Sequence, residues 1–184
     1  MATYIRCRAC GYVMDEAHLK DSCPACGLPK TVFEPYTKKI APRRKFLLDQ
    51  HFHPIAVHFP QVFLLLAAFM PLLSLVAAEP VRAEFLAIAK WSVLVLPFTV
   101  LVGFLTGLFD GQLRFKKVKT PLLLNKMIAG IIFQVLSIIA FVLYVLNGFD
   151  GSLWAIVILN LICIPLSIYL GRAGSSMFDS VIAG

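Results

Sequence analysis

Four of the five cysteines lie near the N-terminus and form two Cys-x-x-Cys pairs. Cys7 and Cys10 form the first pair, and Cys23 and Cys26 form the second pair after twelve intervening residues. A glycine follows each second cysteine, which suits a tight turn whose backbone N–H groups point at sulfur. Four thiolates at this spacing indicate a tetrahedral site for Zn²⁺ or iron. We therefore predict that these four cysteines bind one metal ion.

The residues around the cysteines resemble a known module. Cys10-Gly11-Tyr12 and Cys23-Pro24-Ala25-Cys26-Gly27 are similar to the short rubredoxin module at the end of rubrerythrins, over about residues 3–36. That family binds one iron through four cysteines and carries one electron, so the resemblance implies that the four cysteines are iron ligands. A structural zinc ribbon shares the spacing and remains the alternative. Either metal would be needed to fold so short a domain.

Histidines open the first long apolar segment, in the run His53-Pro54-Ile55-Ala56-Val57-His58. Ionisable groups at membrane depth are costly and are often functional. Neutral imidazole ligates b-type haem, which makes His53 and His58 candidate haem ligands. Five positions correspond to about 140° around a helix, so the two rings cannot clamp one haem from a regular helix. The alternative is that both histidines cap helices or lie among lipid headgroups.

The same run is similar to the opening of an uncharacterised bacterial family of four-helix membrane proteins. Gly107-Leu108-Phe109-Asp110 resembles the ending of that family's second helix. Some members are fused to Rieske or cytochrome modules, so the resemblance implies an association with redox proteins. The family often has a histidine early in its third helix, where this chain has Lys126. A second haem ligand would therefore come from elsewhere, such as a second copy of the chain.

The composition requires a membrane setting for most of the chain. Of the 184 residues, 59% are hydrophobic and only 15% are charged, against about a quarter charged in soluble domains. Four apolar stretches are each long enough to cross a bilayer as a helix, and they cover about residues 54–78, 85–109, 121–146 and 152–171. Short links between them predict an up-and-down four-helix transmembrane bundle. The fold class is mainly α, with a small metal-binding domain at the N-terminus.

The domain division follows the change in composition. Residues 1–36 form the four-cysteine domain, residues 37–52 a basic linker with a break at Pro42, and residues 53–184 the membrane domain. Two basic blocks, at residues 38–45 and 114–119, fall on one side of the bundle. The positive-inside rule then places the N-terminal domain and the C-terminus in the cytoplasm, in a multi-pass protein of the inner membrane. We expect Lys126 to extend toward this basic side.

We predict a membrane-anchored one-electron transfer protein that relays electrons to a haem, a quinone or a partner protein. The alternative is a zinc-ribbon scaffold that docks a partner without redox activity. The residues favour an electron carrier over a stand-alone enzyme, since the sequence contains no nucleophile triad, phosphate loop or paired carboxylates. Lipid is the expected surrounding, and a homo-oligomer remains open. The basic residues adjoin apolar segments, so nucleic acid is not an expected partner.

Overall fold

The computed structural model describes residues 4–36, 41–115 and 121–178. The chain divides into two compact units, one ending at Lys45 and the other beginning at Phe46. Parts of both basic blocks, at residues 37–40 and 116–120, lie outside the described residues.

The first unit is built on a small antiparallel sheet. Its strands are β1 (Tyr4–Cys7), β2 (Val13–Asp15) and β3 (Phe33–Tyr36), in the order β2-β1-β3. The register pairs Ile5 with Met14 on one side and with Pro35 on the other. Two short 3-10 turns complete the unit, at Glu16–His18 and Lys30–Val32. The sheet places Cys7 at the end of its central strand, where the chain turns into the first cysteine pair.

The second unit is helical. Its helices are α1 (Pro42–Asp49), which begins in the first unit, α2 (Phe52–Ala56), α3 (His58–Ser74), α4 (Val81–Phe115) and α5 (Pro121–Phe178). The sequence suggested a break at Pro42, but α1 begins there instead. Proline suits the first position of a helix, because the N–H that it lacks would have no helical partner.

The last helix reverses direction within its length. At Gly148 the backbone has φ 62° and ψ −165° and leaves the helical conformation. A straight helix of 58 residues would be about 87 Å long, yet the Nζ atom of Lys126 lies 3.3 Å from the position of a Cβ on Gly174. Phe133 and Cys163 also share one core cluster. The halves before and after Gly148 therefore pack against each other.

The core of the helical unit is formed where these segments meet. Leu64 of α3, Leu96 of α4 and Phe133 of α5 pack together in one cluster. A second cluster contains Ala67, Val93 and Ile156. Small and branched side chains thus bring three helices into close contact and set the positions of the groups described below.

Three helical stretches are long and apolar enough to cross a membrane, among the described residues. They are Arg43–Ser74, Val81–Arg114 and Leu122–Ser175, and only 28–33% of their most apolar windows is buried in the protein. Their outward faces carry large apolar side chains, which soluble proteins rarely expose in continuous patches. The sequence predicted four helices. In the structure the last two predicted stretches fall within α5, on either side of the break at Gly148, where a loop was expected.

Candidate functional site

The two cysteine pairs form turns with the same hydrogen bonds. Gly11 N–H donates to the carbonyl of Cys7, and Gly27 N–H donates to the carbonyl of Cys23, each at 2.8 Å. The two glycines have φ values of 76° and 72°, a left-handed conformation that glycine adopts without steric cost. The glycines thus close two equivalent loops, each with two sulfurs on its inner side.

The two loops bring the four sulfurs together. The Sγ atoms of Cys7 and Cys26 are 3.8 Å apart, and those of Cys10 and Cys23 are also 3.8 Å apart. All four Sγ atoms lie within 4.8 Å of one another. A tetrahedral site with metal–sulfur bonds of about 2.3 Å has sulfur–sulfur edges of about 3.8 Å. The donor set therefore fits one tetrahedral iron or zinc ion.

The pKa values of the cysteine thiols also indicate that a cation belongs between the four sulfurs. Burial raises the pKa of Cys23, but the N–H donors of Cys26 and Ala25 and the neighbouring sulfurs bring it to about 7. At Cys10, the N–H donor of Tyr12 lowers the pKa, but burial and the other sulfurs raise it to about 12. Sulfurs this close resist simultaneous ionisation unless a cation lies between them.

Two of the four cysteines in the site are buried and two are exposed. Cys7 and Cys23 are buried, whereas Cys10 and Cys26 are exposed. Tyr12 and Leu28, each two residues beyond an exposed cysteine, are both 42% exposed. Two of the four sulfurs therefore lie at the surface, on one side of the metal site.

Comparison with protein families identifies this part of the chain. Residues 6–34 match the rubrerythrin, rubredoxin-like domain. The match includes all four cysteines and confirms, for this segment, the resemblance to the rubredoxin module of rubrerythrins. No curated protein and no solved structure matches the chain. The resemblance of the helical part to a four-helix membrane family stays a prediction.

Side-chain contacts join the strands of the rubredoxin-like domain. Arg6 on β1 and Glu34 on β3 face each other in the sheet, and the Nε atom of Arg6 lies 3.1 Å from Glu34 Oε1. The Arg6 guanidinium also lies over the ring of Tyr36, 5.6 Å from its centroid. These contacts are half exposed and contribute little, about 0–1 kcal/mol for such an ion pair. The sheet alone is too small to hold the domain folded.

The two histidines predicted as haem ligands lie in the helical unit, where both line one cavity of about 360 Å³. His53 Nδ1 is 3.4 Å from Thr106 Oγ1, and His53 Nε2 is 3.4 Å from Lys126 Nζ. His58 Nδ1 lies 2.6 Å from the carbonyl of Pro54. A haem ligand at His53 would require Lys126 to move away from Nε2. Haem ligation by either histidine stays a prediction.

The sequence did not predict the contacts of Lys126 and Thr106 with His53. They lie 73 and 53 residues from His53 in the chain. Lys126 was expected to extend toward the basic side of the membrane, and in the structure its Nζ lies 3.4 Å from His53 Nε2. Gly107 leaves room for the His53 ring, since a Cβ there would lie 2.9 Å from His53 Cε1.

Proposed function

We propose that the protein is a membrane-anchored one-electron carrier whose redox centre is an iron ion held by Cys7, Cys10, Cys23 and Cys26. The observation that supports this most directly is the set of four sulfurs at tetrahedral spacing within a segment matching the rubredoxin-like domain. Iron bound in this way would supply a one-electron exchange between its ferric and ferrous forms.

The residues of the chain contribute to such a centre in two ways. Backbone N–H groups that point at the sulfurs stabilise negative charge there, which tunes the reduction potential of a thiolate-bound metal. The turns at Gly11 and Gly27 would hold the sulfurs in place around the iron. The exposed side at Cys10 and Cys26 gives a partner access, while the buried side excludes water.

The optical spectrum of the detergent-purified protein tests this proposal. We expect charge-transfer bands in the visible range that disappear on reduction, with about one iron per chain. Cys163→Ala should keep the bands, because this cysteine is buried in the helical core. A colourless protein containing one zinc per chain would contradict the proposal and would favour a partner-docking zinc ribbon.

We further propose an orientation in the inner membrane that places the rubredoxin-like domain and the C-terminus in the cytoplasm. The support is the distribution of basic residues, which cluster at residues 38–45 and 114–119 and are retained on the cytoplasmic side of membrane proteins. A fluorescent reporter that matures only in the cytoplasm should be active when fused to the C-terminus. Activity of a periplasm-specific reporter at the same position would contradict this orientation.

A further inference from the structure

The cavity in the helical unit has the size of a small-molecule site. Its volume is about 360 Å³, and its lining comes from α2, α3, α4 and both halves of α5. Ligand cavities typically measure about 300–1,000 Å³ and have mostly apolar walls with a few polar groups. Its apolar walls include Val100, Phe104 and Leu170. A ligand here would have an apolar body.

Glycines create the room in this cavity. Five of them line it: Gly103, Gly107, Gly130, Gly171 and Gly174. At Gly130 an added Cβ would lie 3.1 Å from the Phe104 ring, whereas at Gly171 it would meet no atom within 4 Å. The space beside Gly171 is therefore left open, while Gly107 and Gly130 leave room for the rings of His53 and Phe104. An aromatic ring and aliphatic side chains in the lining suit a ligand with an apolar ring.

At one side of the cavity, a chain of hydrogen bonds leaves Lys126 able to donate to a ligand. Thr106 Oγ1 donates to backbone carbonyls, at 2.9 Å from Val102 O and 3.1 Å from Gly103 O. The Thr106 oxygen can then only accept a hydrogen bond, so His53 Nδ1 carries the proton and donates to it. His53 Nε2 has no proton and therefore accepts from Lys126. An ammonium has three N–H groups. In the part of the chain that the structure describes, the hydrogen-bond partner of Lys126 is His53, so two donors remain for a ligand.

The second histidine presents an acceptor. His58 lines the same cavity, and its Nδ1 lies 2.6 Å from the carbonyl of Pro54. A carbonyl only accepts, so Nδ1 carries the proton and Nε2 of the neutral ring carries a lone pair. The cavity thus offers an N–H donor at Lys126 among its apolar walls and an acceptor on His58, which is an exposed residue of the lining.

We propose that this cavity binds the ring of a membrane quinone. An oxidised quinone is flat and apolar, carries only acceptor oxygens and fits the Lys126 donor. Its reduced form carries hydroxyl groups, and one of them can donate to His58 Nε2. The inference deepens the proposed function, on which it rests for the use of the site, because it names a lipid-soluble redox molecule as the partner of the helical unit.

Two other occupants are less well matched. A haem held by both histidines needs an imidazole nitrogen without a competing partner on each ring, and at His53 the Nε2 atom faces Lys126 Nζ at 3.4 Å. Only His58 could then act as a ligand. A fatty acid would satisfy Lys126 with its carboxylate, but this anion has no proton to donate to the acceptor at His58. A quinone uses the donor in its oxidised form and the acceptor in its reduced form.

Binding to the full-length protein in detergent tests the proposal. Decylubiquinone is titrated onto the wild type, Lys126→Met and Lys90→Met, and bound quinone is quantified after gel filtration. We expect Lys126→Met to weaken binding about ten- to hundredfold, as for a lost hydrogen bond to a charged group. Lys90→Met is the matched control, because Lys90 lies against Trp91 and does not line the cavity. Thermal unfolding of each variant confirms that it is folded.

A second variant separates the two oxidation states. His58→Phe removes the acceptor, so we expect it to weaken decylubiquinol binding while decylubiquinone binding changes less than about threefold. Equal quinone affinity in the wild type and in folded Lys126→Met would overturn the proposal. The proposal would also be overturned if palmitate bound more tightly than quinone and displaced it completely. Haem bands in the purified protein that disappear in His58→Ala would overturn it as well. Zinc at the cysteines would contradict electron transfer but would leave this binding result unaffected.

Discussion

Replacement of Cys23 by alanine is expected to abolish metal binding and to unfold the rubredoxin-like domain. Cys23 is 1% exposed and its sulfur lies 3.8 Å from that of Cys10, so its loss removes one corner of the tetrahedron. Structural zinc contributes about 10–16 kcal/mol to the folding of comparably small domains. That is as large as the whole stability of an average domain, about 5–15 kcal/mol.

Three measurements check this result on purified protein. Elemental analysis should find metal near zero, visible bands should be absent, and limited proteolysis should cleave residues 4–36 and spare the helices. The matched control is Cys163→Ala, the same change at a buried cysteine of the helical unit, which should retain the metal. Full metal content in Cys23→Ala would contradict the four-cysteine site.

Replacement of Gly148 by alanine is expected to destabilise the helical unit by about 1–3 kcal/mol, the cost of holding a residue with a side chain in a conformation almost restricted to glycine. The backbone there has φ 62° and ψ −165°. An added Cβ would meet no atom within 4 Å, so packing does not contribute to the loss. The reversal of α5 should consequently become less stable.

Gly171→Ala is the control for this change. An added Cβ at Gly171 likewise meets no atom within 4 Å, but the backbone there has no positive φ. Alanine is favoured over glycine inside a helix by about 0.5–1 kcal/mol, so the melting temperature should stay the same or rise. Thermal unfolding of both variants in the same detergent tests this prediction. A Gly148→Ala protein as stable as Gly171→Ala would show that α5 does not reverse through this residue.

The contacts around Gly148 explain why its effect should extend beyond one residue. Ser152 Oγ donates to the carbonyl of Leu143 across the reversal, at 3.2 Å. The rings of Tyr144 and Phe149 lie 4.8 Å apart between centroids, and both pack on the cluster that contains Ala67 and Val93. Loss of the reversal would separate these groups and open the cavity, whose lining includes both halves of α5.

The cysteine spacing was enough to predict the metal-binding domain. Cys7 and Cys10, like Cys23 and Cys26, are three positions apart with a glycine next, and a turn of that length has few conformations. The positive φ values at Gly11 and Gly27 follow from this local constraint. The spacing did not predict which sulfurs are buried, because their burial depends on how the two turns pack on the sheet.

The break between the last two helical segments shows where local reasoning was insufficient. The stretch at residues 147–151 combines two glycines with polar side chains, which favoured a loop between two helices. The structure keeps helical backbone on both sides of Gly148. Sequence pattern reports where a chain is able to bend, whereas the length of the bend depends on the packing of the two halves.

The sequence by itself determined the apolar helices, the basic blocks and the four sulfur ligands, since each depends on residues close together in the chain. The tertiary structure alone decided that His53 meets both Thr106 and Lys126, which are 53 and 73 residues away. It also decided that glycines on α4 and α5 border one cavity with His58. Such groupings arise from the packing of distant helices, and the pattern along any one helix does not contain them.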